Sequence, residues 1–504
     1  MSDDRPPRHG FPAHGPAPEL IAAGFAYESA GAATLHEGLN LADMAHVIHL
    51  ADLGIVPPSA AEALLGVLLD ADRTDAATFG YDPHDGEPYN SRERVFVAQV
   101  GDAAGWLHAG RPRREATRIA FRLHLRRRVA TVAVAAAELA RVLVERAVDH
   151  RDTLFPDQTY LQQAQPSTFG HYLLSFAYPV LRDGQRLLDV VDWLNGSPAG
   201  AGCVNGNRFS DDRASLAQRL GFDAVIVNTR DAMWQVDGLV QLVSTLASLA
   251  CTQTSLAEDL EIWASSEFDY VDLAEPLTRA SVLMPQKRNP YSLSIIRGTT
   301  GVIIGQVAGF LAVQKSPSAR SDTLIFAYGE LPVTVEHARR ITELTRAVVA
   351  SLTVNDVRFA EELAGGFSQS TDVAEQVMLC CGLDYRSAYR VVGNAVRALS
   401  RQGGSAGDLT VALLDAAGEQ VLGRPIGISE DDLATSLDPA AIVASRVAPG
   451  GAAAGPMNDM IEEARVMADA LERAARDRLA GFDAAEAALR RESVDRRQVP
   501  EGTP

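Results

Sequence analysis

Cysteine is scarce in this chain, which has four in 504 residues. They are Cys203, Cys251 and the neighbours Cys380 and Cys381, and they have no paired spacing that holds zinc or builds a disulfide framework. We therefore expect a reducing compartment and four thiols buried as small apolar side chains. Aromatic residues are also few, at 6%, whereas hydrophobic residues make up 47%, as in an ordinary globular protein of two or three domains.

Basic residues are in deficit, since 46 Lys and Arg stand against 65 Asp and Glu, for a net charge of −19. Such a chain lacks the broad basic surface that attracts nucleic acid or an anionic membrane, and we expect neither partner. Long apolar runs are missing too: no segment offers about 18 apolar residues without polar interruption. The polar, proline-rich residues 1–20 lack the apolar core of a secretory signal, which predicts a cytoplasmic protein.

Glycine and proline are absent from residues 113–155, a stretch dominated by Ala, Leu, Arg, Val and Glu. This composition predicts one or two very long helices, with Pro112 at the first turn. Similar material follows at residues 167–195, 229–275, 291–316 and 330–352. Helices of this length bury their faces lengthwise against each other, so the sequence predicts an all-α fold around a bundle of about five long helices.

We divide the chain into an N-terminal cap at residues 1–112, the central bundle at 113–354 and a C-terminal helical domain at 355–504. The last stretch, residues 490–504, is expected to fray. One helical stretch carries a stripe of glycines, which predicts close packing inside the bundle or between subunits: Gly298, Gly301, Gly305 and Gly309.

Two clusters of polar residues have ordinary interpretations. His46 and His49, with His36 upstream, have helical spacing, but no carboxylate-rich motif accompanies them and we expect no metal site. The arginine run at residues 126–128 predicts a solvated helix face or a salt-bridge patch between subunits.

The most unusual string is SVLMPQKRNP, residues 281–290, between two long helical stretches. It resembles the signature Gly-Ser-Ser-x-Met-Pro-x-Lys-x-Asn-Pro of the fumarase/aspartase superfamily, and its Met-Pro-Gln-Lys form with Asn-Pro resembles the argininosuccinate lyase branch. Three other blocks resemble that branch in the same order along the chain: HAGRPRR at 108–114, QTYLQQAQPSTFGHYLL at 158–174 and DPAAIVASRVAPGGAA at 438–453. The resemblance therefore covers most of the chain, and we call residues 280–290 the signature loop.

The resemblance implies a three-domain, mainly helical subunit that assembles as a homotetramer around a twenty-helix core. Each active site is then built from residues of three subunits and acts on a small polycarboxylate. No cofactor and no metal are implied.

Elimination of an amine from a succinyl group removes a proton from the carbon next to a carboxylate, which is a very weak acid. The charge moves onto that carboxylate, so the site needs cations and hydrogen-bond donors there and a base at the carbon. The resemblance implies that Ser281 is the base and that Lys287 and Asn289 bind the carboxylate. A serine needs backbone N–H groups and a lysine to stabilise its alkoxide, which a closing loop can supply.

Three further residues match positions that bind the substrate in the family. The resemblance implies that Thr159 and Arg113 hold the fumarate part of the substrate. Arg111 matches too, and it has two interpretations: contact with the substrate, or a buried structural salt bridge.

Two departures from the family concern proton transfer. The histidine of Thr-His-Leu-Gln is Tyr160 here, and the glutamate that pairs with it, in Asp-Ser-Leu-Glu after the signature loop, is Ser294. Loss of both indicates a site rebuilt for different proton transfers, because an unpaired buried glutamate is costly. Tyr160 is either a general acid, since a phenol is protonated at neutral pH, or a wall of the pocket.

Other departures concern the leaving group. In the family's Ser-Arg-Asn-Asp-Gln string the Asn is replaced by Arg114, followed by Glu115, and the later segment that receives the arginine part contains Arg320. Two added arginines disfavour a guanidinium and favour an anionic or neutral group. With the other cations of these segments they predict a locally basic cleft in an acidic protein: Arg111, Arg113, Lys287 and Arg288.

We interpret the chain as a cofactor-independent carbon–nitrogen lyase of specialised metabolism. It would catalyse β-elimination from an N-substituted aspartate or succinyl adduct, giving fumarate and an amine-type product, with a substrate other than argininosuccinate. The alternatives are an isomerase or cyclase that uses the same proton abstraction, a catalytically inactive scaffold, and a genuine argininosuccinate lyase.

Overall fold

The computed structural model describes residues 15–209 and 212–497. Within these ranges the chain is predominantly helical, which confirms the all-α class. The α-helices are α1 (Pro18–Leu20), α2 (Ala26–Ala30), α3 (Ala32–Asp52), α4 (Pro58–Arg73), α5 (Pro88–Val100), α6 (Arg113–Asp149), α7 (Phe169–Leu194), α8 (Arg213–Arg219), α9 (Thr229–Trp234), α10 (Asp237–Trp263), α11 (Tyr291–Gln314), α12 (Asp322–Ser351), α13 (Asp356–Gly365), α14 (Ser370–Cys381), α15 (Tyr385–Ser400), α16 (Val411–Leu422), α17 (Glu430–Leu437), α18 (Pro439–Ala444) and α19 (Ala454–Arg497). A π-helical turn at Ile21–Phe25 and 3₁₀ turns at Pro83–Asp85, Gly101–His108, Glu275–Leu277 and Ala406–Asp408 complete the helical segments.

The strands described are short and pair in twos. The antiparallel pairs are β1 (Leu154–Thr159) with β2 (Gln162–Thr168), β5 (Val271–Asp272) with β8 (Thr353–Val354), and β6 (Arg279–Ala280) with β7 (Arg288–Asn289). The parallel pair is β3 (Gly196–Ser197) with β4 (Ala224–Val225). Because each pair is so small, the strands fix loops on the helical framework and do not form a sheet with a core of its own.

Helices α6, α7, α10, α11 and α12 form the central bundle, as the five helical stretches predicted. Helix α6 is its hub and contacts α3, α7, α12 and α19. Its buried side chains are mostly Ala, Val and Leu, small enough for close helix approach and each contributing by removal of apolar surface from water. Residues 154–155, expected to be helical, instead open β1, because the chain leaves α6 after Asp149 and pairs with β2.

Helix α19 is 44 residues long, whereas the sequence predicted only shorter helices in this region. It packs along α6 and α7 and reaches α4. Near its end Arg490 lies 2.8 Å from Asp72 and 2.7 Å from Glu37, and Ser493 is buried. Residues 490–497 are therefore helical and anchored, and the expectation that they fray was wrong. The rest of that tail, residues 498–504, lies outside the described residues.

Three buried arginines spaced four residues apart along α6 form what we call the arginine ladder: Arg118, Arg122 and Arg126. Each donates to backbone carbonyls at or just after the end of another helix, where an α-helix leaves its last carbonyls without the usual partner four residues on. The acceptors are Gln235 O after α9 (2.7 Å), Trp193 O at the end of α7 (2.7 Å), and Leu220 O (3.1 Å) and Gly221 O (2.8 Å) after α8. The ladder therefore ties three helix ends to the hub helix.

The ladder corrects one expectation about the arginine run at residues 126–128. Arg126 is buried between the rings of Phe222 and Phe482, with centroids 4.7 and 4.3 Å from its guanidinium carbon, and does not lie on a solvated face. Arg127 pairs with Asp483 of α19 at 2.6 Å, within the same subunit, and Arg128 is exposed. Consecutive arginines thus differ because the α-helix turns about 100° per residue.

The cysteines do not have the burial that the sequence predicted, whereas the histidine His36 has a structural role. Cys203, Cys251 and Cys380 are exposed in this chain, so the expectation of four buried thiols was wrong. His36 is buried and hydrogen-bonded to the Tyr81 hydroxyl at 2.8 Å, as a structural side chain. Across residues 15–209 and 212–497, no group of three or more His, Cys, Asp or Glu could hold a metal ion.

The glycine stripe on α11 is not packed inside this subunit. A Cβ added at any of its four glycines would meet nothing within 4 Å. Apolar residues on the same helix are also exposed, among them Val302 at 53% and Leu311 at 51%. Helices α10 and α11 are long and apolar enough to cross a membrane by length and composition, a test that core helices of bundles also pass; 56% and 22% of their apolar windows are buried.

Replacing Arg122 by methionine tests the ladder. The substitution removes the donor shared by three carbonyls, those of Trp193, Leu194 and Gly196, and leaves them in buried or partly buried surroundings. We expect a loss of about 3 kcal/mol in the free energy of unfolding, measured by urea denaturation. Arg128→Met, on the same helix but exposed, is the matched control and should change the midpoint little. Equal midpoints for the two variants would contradict the structural role of the ladder.

Candidate active site

The signature loop is a hairpin closed by β6 and β7. The Ser281 N–H donates to Lys287 O at 3.1 Å, and the Lys287 N–H donates to Met284 O at 3.0 Å, which fixes the turn between them. The Asn289 side chain donates to Arg279 O across the stem at 2.9 Å. Val282 and Leu283 at the apex are almost fully exposed, so the loop projects from the subunit with its base anchored.

Ser281 is oriented by the loop itself. Its Oγ accepts a hydrogen bond from the Met284 N–H at 3.0 Å. A backbone N–H directed at this oxygen stabilises negative charge on it without any side chain having to move. The hairpin also brings the Ser281, Lys287 and Asn289 positions to one end of the loop.

Thr159 and Tyr160 lie at the tip of the β1–β2 hairpin. Thr159 faces Gln162 in the register, and the two residues between them, Tyr160 and Leu161, have φ of 56° and 58°. Two consecutive left-handed residues are typical of a type I′ turn, which follows the twist of the strands. The Tyr160 side chain is 97% exposed, so the hairpin presents this phenol outward from the subunit.

Arg111, just before α6, is in a buried ion pair. Its guanidinium forms an ion pair with Asp43 and donates hydrogen bonds to the Tyr89 hydroxyl at 2.7 Å and to Ala42 O at 3.0 Å. Arg92 lies 2.8 Å from the second Asp43 oxygen. Burial acts to raise the pKa of Asp43, but the two arginines outweigh it and hold the pKa below its usual value. Of the two interpretations for Arg111, the geometry favours the structural salt bridge.

Three other arginines expected in a basic cleft also have acidic neighbours within the subunit. Arg113 lies 3.3 Å from Glu87, and Arg288 is paired with Asp272. Arg114 lines a cavity of ≈ 30 Å³ beside Glu28 and Glu87, space for a water or two and not for a polycarboxylate. Burial and Glu87 raise the pKa of Glu28, while Arg114 lowers it. The expected surplus of positive charge is therefore largely balanced at this end of α6.

Ser294, where the family has glutamate, lies next to another carboxylate. Its Oγ is 3.5 Å from Glu261 Oε1 on α10, and Arg297 bonds both Glu261 and Glu258, the latter at 2.7 Å. Glu28, Glu87 and Glu261 belong to no motif that the sequence singled out. They were missed because contact between distant helices leaves no local signal in one sequence.

The candidate residues fall into four separate places in the subunit. These are the signature loop, the tip of the β1–β2 hairpin, the amino end of α6, and residues 315–321, where Arg320 is exposed. Among the hydrogen bonds and ion pairs of the described residues, none joins the signature loop to the hairpin or to the amino end of α6. Within one chain, direct hydrogen bonds and ion pairs of the described residues therefore do not link the signature loop to these other two places.

The Asp43 ion pair makes a prediction with a defined pH window. Asp43→Asn leaves two buried guanidinium groups without their carboxylate, and we expect a loss of about 3–5 kcal/mol at neutral pH in urea denaturation. Because the folded pKa is lowered, this contribution exists above about pH 4 and disappears as the pH falls further in the unmodified protein. Asp70→Asn, which removes an exposed partner of Arg73, is the control and should have little effect. A stability of Asp43→Asn equal to that of the control would contradict the assignment.

Comparison with known proteins identifies the family of the chain. Residues 46–305 match the lyase family model, and residues 367–444 match the model of the argininosuccinate lyase C-terminal region. The chain is 34% identical over 429 residues to the argininosuccinate lyase of Natronomonas pharaonis, covering 84% of both chains. It is 28% identical over 422 residues to that of Methanothermobacter thermautotrophicus, covering 84% of this chain and 90% of the relative.

Solved structures show the same architecture. A double variant of EDDS lyase with bound fumarate superposes with a TM-score of 0.85 at 26% identity, covering 96% of both chains. The 3-carboxy-cis,cis-muconate lactonizing enzyme of Pseudomonas putida shares the fold, with a TM-score of 0.67 at 21% identity over 86% of this chain and 95% of that one. The chain belongs to the fumarase/aspartase superfamily, in its argininosuccinate lyase-like branch, and is a carbon–nitrogen lyase.

Proposed function

We propose that this lyase eliminates an amine-type product from an N-substituted aspartate or a related succinyl adduct, releasing fumarate, and that its substrate is not argininosuccinate. The observation that carries the proposal is the signature loop, in which Ser281 Oγ faces the Met284 N–H at 3.0 Å. This loop keeps the parts needed to ionise a carbon next to a carboxylate, while Tyr160 and Ser294 replace the family's histidine and glutamate.

The proposed chemistry needs no cofactor. The Ser281 alkoxide takes the proton from the succinyl carbon next to the one that bears the nitrogen. Lys287 and Asn289 bind the carboxylate attached to the deprotonated carbon as this carboxylate receives the charge. The electron pair then forms the carbon–carbon double bond as the carbon–nitrogen bond breaks. Thr159 and Arg113 hold the succinyl part, and the nitrogen leaves with a proton from Tyr160.

The leaving group is proposed to be anionic or neutral. Arg114 stands where the family has an amide, and Arg320 is exposed in the segment that receives the leaving group in the family. Glu28 and Glu87 line the same cavity as Arg114, so the argument against a guanidinium depends mainly on the lost amide and on Arg320. Activity of the branch on aminopolycarboxylates, and the EDDS lyase among the structural neighbours, support a substrate of this kind.

A homotetramer with composite sites completes the proposal. The open glycine stripe and the exposed apolar residues of α11 support burial of this helix in a twenty-helix core between subunits. Such an assembly would bring the outward-facing hairpin, the signature loop and the amino end of α6 of different subunits together. We propose that this enzyme works in the cytoplasm on small polycarboxylates.

Fumarate release tests the activity. With a panel of N-substituted aspartates that includes EDDS and argininosuccinate, we expect ultraviolet absorbance from fumarate with at least one aminopolycarboxylate and none with argininosuccinate. Ser281→Ala should abolish turnover, since it removes the base and leaves the hairpin stem intact. Turnover of argininosuccinate would contradict the proposed substrate class. Turnover that survives Ser281→Ala would contradict the assignment of the base, and a flat trace with the whole panel would favour the isomerase or the inactive scaffold.

Tyr160→Phe tests the general acid. For a substrate with an alkylamine leaving group we expect kcat to fall about 100-fold or more, because the unprotonated amine leaves poorly. Leu161→Ala, in the same two-residue turn, is the control for hairpin structure and should change kcat little. If kcat of Tyr160→Phe matches that of the control and only KM changes, Tyr160 is a pocket wall.

A further inference from the structure

Glu115 is a buried carboxylate that the proposed chemistry does not use. It is the third residue of α6, directly after Arg113 and Arg114, and is 1% exposed. Its two oxygens accept hydrogen bonds from the Gly200 and Gly202 N–H groups, both at 2.7 Å. One carboxylate therefore binds two backbone donors of a segment that lies more than 80 residues away along the chain.

That segment, residues 199–209, is an irregular loop that we call the glycine loop. Gly200 and Gly202 have φ of 73° and 63°, which favours glycine at both positions. Besides Glu115, the Trp234 indole donates to Cys203 O at 3.0 Å and the Thr229 hydroxyl donates to Val204 O at 3.0 Å. The loop is thus fastened to α6 through Glu115 and to α9 through Thr229 and Trp234.

The glycine loop lies between two segments expected to bind the substrate. On one side it touches the turn before α6, where a Cβ added to Gly110 would be 2.3 Å from Asn207 Oδ1. On the other side α9 contacts residues 315–321, since Arg230 donates to the Ser318 hydroxyl at 3.1 Å. Asn205 and Arg208 of the loop are exposed. Their side chains are therefore available on the surface that connects the α6 arginines with the Arg320 segment.

We propose that Glu115 is a positioning residue whose ionised carboxylate holds the glycine loop in place, so that Asn205 and Arg208 form one wall of the leaving-group pocket. An amide and a guanidinium suit a leaving group that carries a carboxylate. This inference deepens the proposed function and rests on it, because it concerns the same site.

The state of this carboxylate changes near neutral pH. Burial raises the pKa of Glu115 to about 7, against the lowering effect of Arg111, the two glycine N–H groups and Arg213. Arg111, in the turn before α6, and Arg213, in α8, are the charged groups that face it. A protonated carboxyl keeps one good acceptor and cannot serve both N–H groups equally, so the glycine loop loosens below about pH 7.

The contribution of Glu115 to the stability of the protein has a pH dependence opposite to that of the order of the glycine loop. Because the folded pKa lies above the ordinary value of 4.5, the contribution of Glu115 to stability is largest at low pH and is lost as the pH rises through about 7. Loop order and catalysis should therefore rise over the same pH interval in which this contribution to stability falls. A residue needed only for folding would change both in the same direction.

Glu115→Gln tests the proposal, because the amide keeps the shape but offers one acceptor. At about pH 8 we expect kcat/KM to fall about 10-fold for a substrate with an anionic leaving group, with an unfolding temperature unchanged or higher. The fall in kcat/KM that we expect for the wild-type protein below about pH 7 should be absent from the pH profile of Glu115→Gln. Glu145→Gln, an exposed glutamate of the same helix, is the matched control and should retain the wild-type profile.

A second measurement needs no turnover. Hydrogen exchange at the Gly200 and Gly202 amides, with Trp234 fluorescence, should show a transition near pH 7 in the wild-type protein and none in Glu115→Gln. The Trp234→Phe variant shows which part of the fluorescence signal comes from Trp234. If no substrate of the panel is turned over, the proposed function fails while this measurement still decides the role of Glu115. The proposal would be overturned if Glu115→Gln showed the same pH transition in amide exchange and fluorescence as the wild-type protein. It would also be overturned if Glu115→Gln lost stability and activity together.

Discussion

Buried guanidinium groups on α6 hold the carboxyl ends of other helices, and much of the subunit depends on this arrangement. Arg118, Arg122 and Arg126 donate to carbonyls at the ends of α9, α7 and α8, where an α-helix leaves its last acceptors unsatisfied. A neutral donor could bond these carbonyls, but a cation also interacts favourably with the negative end of each helix dipole. The same contacts fix the ends of the segments that precede and follow the glycine loop, so the framework and the candidate site share one support.

Charge balance is the second constraint. The chain is acidic overall, and the arginines near the amino end of α6 are largely neutralised where they lie. Arg111 is bonded to Asp43, and Arg113 faces Glu87, so the first is part of the framework and the second is held in a defined position. Glu115 is different, because its partners are two backbone N–H groups and its pKa is raised to about 7. A carboxylate of this kind can bind a loop reversibly, whereas a strongly paired one cannot.

The fold and part of the candidate site could be predicted from sequence because their signals are local. The absence of Gly and Pro from residues 113–155 predicts α6, and the spacing within SVLMPQKRNP brings Ser281, Lys287 and Asn289 to one hairpin. The 44-residue α19 escaped prediction, since its composition resembles that of shorter exposed helices and its burial depends on α6 and α7. Glu261 escaped as well, because its proximity to Ser294 arises from the packing of α10 on α11.

The sequence by itself determined the helical class, the signature loop and the residue types available for proton abstraction. Only the tertiary structure decided which of several identical side chains has which task. Arg126 is buried and Arg128 exposed although they are two residues apart, and Arg111 is structural although it stands in a substrate-binding block. The physical reason is that the charge and hydrogen-bonding capacity of a side chain are fixed by its chemistry. Its desolvation and its partners are set by elements that the chain brings together from far apart.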